Sequence, residues 1–277
     1  MKRYKNHPLS LILFLLVNLA AVITAAVVLF LIGYILWHGV PNLSLPGIFA
    51  WEYNGENQSM TPAIINTLIM TALTLLLAVP IGVFAAIYLV EYAKKGSKLV
   101  KLIRVTAETL AGIPSIVYGL FGFIVFVITL GWSYTLIAGV ITLAIMILPL
   151  IIRTTEEALM AVPDSFREGS FGLGAGKLRT VFHIVLPSAV PGIAAGIILA
   201  IGRIVGESAA LIFTSGTNPV VAKGLFTSAS TLSVHLYALL TEGLYTEQAY
   251  AVAAVLLFLV IGINALSSVA AKKLTAK

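Results

Sequence analysis

Arg203 and Glu207 stand four residues apart in GRIVGESAA, residues 202–210, inside an otherwise apolar run. Intramembrane charges face a bundle interior or water and mark ion pathways. A guanidinium is a planar fork that donates parallel hydrogen bonds to an oxyanion. On one continuous helix the pair would share a face one turn apart. The chemistry implied is electrostatic recognition of an anion by Arg203, with Glu207 holding or releasing the arginine. The competing reading is a structural ion pair that leaves Arg203 little capacity for an anion. Glu108 is a second acidic candidate at the mouth of an apolar segment, and Ser115 and Tyr118 bring hydroxyls to the same region.

Other chemistries find little support. The chain has no cysteine, and its four histidines fall in separate regions without metal-ligand spacing, so no metal site is expected. GLGAGKL at 172–178 resembles a phosphate-cradling loop, but that motif needs a glycine where Phe171 stands and Ser or Thr where Leu178 stands. No nucleotide cofactor is expected on this chain.

The elements that position these residues follow from composition. Of 277 residues, 60% are hydrophobic and only 10% charged, against about a quarter charged in a soluble domain. Apolar segments near 9–37, 62–90, 109–131, 134–152, 188–214 and 249–270 are each close to or above the roughly 20 residues a helix needs to span hydrocarbon. Backbone groups in lipid must bond within their own segment, so six transmembrane helices are predicted. The first run is too long for a signal-peptide core and reads as a retained anchor. Of the 17 lysines and arginines, all but Arg203 and Lys223 fall in both termini and the second and fourth connections. That bias places both termini in the cytoplasm. The outer connections are then 38–61, with Trp51 and Tyr53 suited to the interface, and 215–248, where STLSVHLYALLTEGL reads as an interfacial helix.

The cytoplasmic connection 153–187 is the most structured. Pro163 should end the preceding helix. Ser165-Phe-Arg-Glu168 fits a capping box at a new helix start, and Gly172, Gly174 and Gly176 should end that helix after about two turns. The result is a short helix held by turns at both ends, a docking element. Gly192/Gly196 and Gly202/Gly206 should let helices approach closely. Pro114 and Pro191 are expected at kinks or first turns.

Glu168-Gly169-Ser170-x3-Gly174-x9-Ile184-x-Leu186-Pro187 resembles the EAA loop of ABC-importer permeases, EAA-x3-G-x9-I-x-LP, with every spacing matched and EGS in place of EAA. AGIPSIVYGLFG at 111–122 and the run 186–216 are similar to the permeases of the phosphate importer, the PstA-type subunit more than its PstC-type partner. GESAAL stands where that family more often reads GETAPL. The resemblance covers about 60–270. It implies one all-α membrane domain over 1–277 with a MetI-like five-helix core, a PstC-type second permease and a PstB-type ATPase dimer. It also implies an extracytoplasmic phosphate-binding protein and phosphate as substrate. ATP and Mg would be bound by the ATPase alone. Ser165, Glu168, Gly169, Ser170, Gly174, Ile184, Leu186 and Pro187 would form the coupling surface. Arg203, Glu207, Ser115 and Tyr118 would face the translocation pathway. The alternatives are a permease for another oxyanion or small solute, and an ion-coupled secondary carrier using Glu207 and Glu108. Such a carrier usually shows paired inverted repeats and broken helices at corresponding positions, neither of which is evident in this sequence.

Overall fold

A computed structural model describes residues 8–53, 57–94 and 96–275. Among the described residues every regular element is helical: α1 (Pro8–Gly39), α2 (Thr61–Ile87), α3 (Lys98–Ala111), α4 (Ser115–Gly122), α5 (Leu136–Met160), α6 (Asp164–Gly172), α7 (Lys177–Thr180), α8 (Leu186–Val205), α9 (Ala209–Thr214), α10 (Leu232–Glu242) and α11 (Thr246–Thr275). Five helical segments are long and apolar enough to cross a membrane, and α3 with α4 makes a sixth only as a pair bent by 101°.

Three of the expected spans are therefore redrawn. The segment 109–131 is not one rod, because the chain turns sharply at Gly112-Ile113-Pro114. Pro114 lacks an N–H and disfavours helix in the residue before it, so α3 ends and α4 starts afresh. The stretch Lys98–Ala111, expected largely as connection, is an amphipathic helix. The segment 188–214 breaks at Gly206-Glu207-Ser208, with α9 beyond the break. The segment 134–152 continues as α5 to Met160, so Arg153 is helical.

The core is built around α5, which packs on α2 on one side and α8 on another, while α11 covers α8 and α1 touches mainly α11. Met70, Leu143, Met146, Ile147, Ile151 and Leu211 are buried at these contacts. Lipid offers apolar side chains no reason to leave it, so close backbone approach supplies the packing. A β-carbon at Gly82 would stand 2.6 Å from Ile151, and one at Gly192 would stand 2.6 Å from Ala158. At Gly196 it would fall on the Thr154 side chain. Gly192/Gly196 thus let α8 lie against α5. Gly202/Gly206 do not act this way: the nearest atoms to a Gly202 β-carbon, on Asn264, are 3.9 Å away, and Gly206 follows the end of α8.

Pro187 and Pro191 lie in the early turns of α8, and the chain just before them is wound more widely over Val181–Val185. A similar wide turn ends α2, where the Ala93 N–H donates to the Tyr88 carbonyl at 2.9 Å. At the end of the bundle holding the start of α2, Asn66 fixes the long 215–231 connection. Its amide donates to the Val220 and Ser230 carbonyls and accepts from the Ala222 N–H at 2.9, 3.1 and 3.0 Å. In the 38–61 connection Trp51 is exposed as expected of an interfacial residue. Tyr53 instead turns inward, donating to Gln58 Oε1 at 2.8 Å with its ring edge toward His235. α10 also differs from the expected surface helix: Leu232, Val234, His235 and Leu239 are buried.

Candidate coupling surface and translocation pathway

The first surface forms at the end of the bundle where α5 finishes. Pro163 adopts extended backbone at the N-cap of α6, and the helix runs Asp164–Gly172. The capping box does not form, since neither Ser165 nor Glu168 bonds the free N–H groups. Helix starts at Asp164, so Ser165 is already inside the first turn. Arg167 fixes that start by donating to the Val162 carbonyl at 2.8 Å and to Asp164 Oδ1 at 3.2 Å. The glycine cluster ends α6 as its sequence implies. Gly174 has φ +81°, a left-handed conformation that side chains disfavour. Ser170 and Thr180 hydroxyls meet at 2.8 Å and tie α6 to α7.

No residue of α6 is buried. Phe166, Phe171 and Leu173 are exposed, Leu173 at 92%. Ser165, Gly169, Ser170, Gly174 and Ile184 line one groove of about 440 Å³ with Phe166, Leu173 and Arg179. Glu168, Leu186 and Pro187 lie outside it. Among the described residues nothing approaches within 4 Å of a β-carbon placed at Gly169, so packing against them does not require its small size. Phe166, Phe171 and Leu173 thus form a row of exposed large apolar side chains, a pattern that marks interaction surfaces.

The second region centres on Arg203 in the last turn of α8. It is half-buried, yet it is absent from the four ion pairs found among the described residues. Those pairs are Arg104–Glu156, Arg153–Glu157, Arg167–Glu91 and Arg167–Asp164. Arg203 opens on two spaces. One, of about 490 Å³, lies between α3 and α5 and is also lined by Arg104, Glu108, Arg153, Thr154 and Glu156. The other, of about 590 Å³, is a groove between α5, α8 and α11 lined by Leu150, Leu199, Gly202 and Asn264.

Glu207 is buried beyond the helix break and is not paired with Arg203. Its Oε1 accepts from the Ala210 N–H at 3.1 Å, taking one of the free donors at the start of α9. The helix break removes the ion pair of the competing reading: Arg203 stays outside every ion pair among the described residues, and the Glu207 carboxylate caps the start of α9. Tyr118 is buried and its hydroxyl donates to the Leu110 carbonyl at 2.8 Å, fastening α4 to the end of α3. Ser115 begins α4, half-buried, and lines neither space beside Arg203. Glu108 is exposed on α3 and lines the space between α3 and α5.

A search of the sequence for charges in apolar runs passes over Asn264. Its amide oxygen is buried without a hydrogen-bond partner and its residue lines the groove beside Arg203. The available signal is an amide within VIGINALSS. Arg167 and Glu91 are also joined only by the fold, 76 residues apart.

Residues 78–275 match the family described as binding-protein-dependent transport system inner membrane component. A probable ABC transporter permease protein, YqgI, of Bacillus subtilis (strain 168) is 35% identical over 247 residues, covering 83% of each chain. The phosphate transport system permease protein PstA of Mycobacterium leprae (strain TN) is 34% identical over 80% of this chain and 72% of that protein. Its Yersinia pestis counterpart is 35% identical over 79% and 77%. Among solved structures, a bacterial alginate ABC transporter chain superposes with TM-score 0.72 over 99% of both chains at 15% identity. An inward-facing MetNI methionine transporter chain gives 0.61 over 78% of this chain and 94% of its own at 21% identity. At these identities the structures speak to the fold, and the fold is theirs. With the α6 loop, the multi-pass helical bundle and the matched sequence together, the chain belongs to the binding-protein-dependent transport inner membrane component family, the permeases of ABC transporters.

Proposed function

We propose that this chain is a membrane-spanning subunit of an ATP-driven inorganic phosphate importer, paired with a second permease of PstC type. The observation that carries the substrate assignment is Arg203, half-buried in a spanning helix and outside every ion pair found among the described residues. Lipid is a costly environment for such a group, so its guanidinium faces water or a partner surface. Its planar fork suits two oxygens of a phosphate. The names carried by relatives at 34–35% identity support the same substrate.

Lysine and arginine gather at the α6 end, which we assign to the cytoplasm together with both termini. The opposite end, with 38–61 and 215–245, then receives phosphate from an extracytoplasmic binding protein. α6 seats in a PstB-type ATPase subunit, with Phe166, Phe171 and Leu173 as apolar anchors. ATP binding would close the ATPase dimer, move α6 and shift the permease pair between two packings. Hydrolysis would reset it. ATP and Mg belong to the ATPase, and this chain performs no bond-making step.

Affinity purification of the chain from cells tests the assembly. An ATPase subunit and a second permease co-purify in stoichiometric amounts on this reading. Phosphate transport by the chain alone, without ATPase, would identify an ion-coupled carrier instead.

A further inference from the structure

Arg167 uses its whole hydrogen-bonding capacity to join three elements. A guanidinium has five N–H donors. Its Nε and Nη2 both donate to Glu91 Oε1, at 3.1 and 2.8 Å, on the wide turn that ends α2. Nη2 also donates to the Leu159 carbonyl at 2.9 Å and Nη1 to the Val162 carbonyl at 2.8 Å, both at the end of α5. Nη1 gives its remaining hydrogen to Asp164 in the first turn of α6. The Arg167 and Glu91 side chains are 15% and 8% exposed, so water competes weakly for these bonds, whereas Asp164 is 83% exposed.

The chain connects α6 directly only to α5 and α7. α2 reaches this corner through Glu91, with Lys177 lying over the Tyr92 ring at 5.2 Å as a second, weaker contact. α2 packs along α5 at Gly82 and Ile151. Ala86 and Ile87 at the end of α2 also pack with Leu159, Val162, Val181 and Val185, and beside this apolar contact the guanidinium supplies the directional, hydrogen-bonded link from α6 to α2. A lysine has three donors on a point charge and cannot replace it.

We propose that Arg167 is a positioning residue that locks α6 to the end of α2, so that α6, the end of α5 and α2 move as one body when the ATPase pulls. The proposal rests on the reading of α6 as the ATPase-docking helix and adds the route by which its motion enters the bundle.

The chain has no cysteine, so spin labels at Tyr88→Cys and Gly172→Cys report the α2–α6 distance alone. Both positions are exposed, and a β-carbon at Gly172 meets nothing within 4 Å. In the ATPase-bound complex the distance distribution stays narrow and keeps its centre between nucleotide-free and vanadate-trapped states. In Glu91→Gln it broadens or shifts. Glu91→Gln and Arg167→Lys keep the ATPase bound but lower the phosphate carried per ATP by about tenfold. The double variant Glu91→Leu/Arg167→Met removes both charges, avoids a lone buried ion, and falls to the same degree. A wild-type distance that changes between states, or a double variant with wild-type transport per ATP, overturns the lock. If the complex carries another solute, wild-type phosphate uptake is absent while the distance test still decides. If no ATPase binds, the wild-type and Glu91→Gln distributions in the isolated chain decide it.

Discussion

Arg203 and Glu207, four residues apart in sequence, do not form an ion pair. Arg203 closes α8 and opens on two spaces, while the Glu207 carboxylate turns away to accept from the Ala210 N–H at 3.1 Å. The break at Gly206 separates them, and with it their roles. Arg203 is left outside every ion pair among the described residues, and Glu207 caps the start of α9.

That separation predicts different outcomes at position 207. Glu207→Ala removes the acceptor and should lower stability by about 1 kcal/mol, the usual worth of a helix cap. Glu207→Gln keeps an acceptor oxygen and should lose less than half of that. Thermal unfolding in detergent reads the difference. ATP-driven uptake should survive in Glu207→Gln, and its complete loss would return the carboxylate charge to the transport step.

Gly174 holds φ +81° in the turn that reverses the chain from α6 to α7. Proline is fixed near −65° and cannot take that conformation, so Gly174→Pro should misplace α6 and abolish ATPase co-purification. Gly174→Ala should retain binding at a cost of about 1 kcal/mol in stability. A pull-down with the ATPase subunit distinguishes the two, and equal retention in both would remove the turn from the docking surface.

Gly196 and Gly202 lie on the same helix and should respond differently. A β-carbon at 196 falls on the Thr154 side chain, whereas at 202 its nearest neighbours are 3.9 Å away. Gly196→Val should destabilise the bundle by about 1–3 kcal/mol through overpacking. Gly202→Ala should be neutral to the fold. The thermal midpoints of the two variants check this contrast.

His235 supplies a pH dependence. It is 3% exposed, and its Nε2 donates to the Gln58 carbonyl at 3.4 Å. Burial pulls its pKa below the ordinary 6.5, with the Gln58 hydrogen bond opposing part of the shift. The unfolded chain therefore takes up a proton before the folded one. Stability is full above about pH 6.5 and declines as pH falls from there toward the lower folded pKa. The thermal midpoint should drop between about pH 7.5 and 5.5, and His235→Gln should flatten that drop.

The sequence showed the solvent, the number of apolar segments and the α6 loop, because each rests on local composition or fixed spacing. The EAA-like spacing survives the change to Gly169-Ser170 since both residues stay on an exposed helix. What stayed hidden depends on where helices stop. A capping box at Ser165 was legible as a pattern, yet Arg167 moved the helix start to Asp164 through partners outside that local pattern. The four-residue spacing of Arg203 and Glu207 implied pairing only if the helix continued, and Gly206 ended it. Asn264 sits beside Arg203 through the packing of α11 on α8, a relation no local window contains.

The most direct measurement is ATP-driven uptake of radiolabelled phosphate into proteoliposomes holding this chain with its second permease, the ATPase and the binding protein. The wild-type complex should accumulate phosphate only with ATP. Arg203→Gln should assemble fully, keep its thermal midpoint because the guanidinium makes no ion pair among the described residues, and accumulate none. Phosphate uptake by Arg203→Gln at the wild-type rate, or a wild-type complex that leaves phosphate outside, would contradict the account.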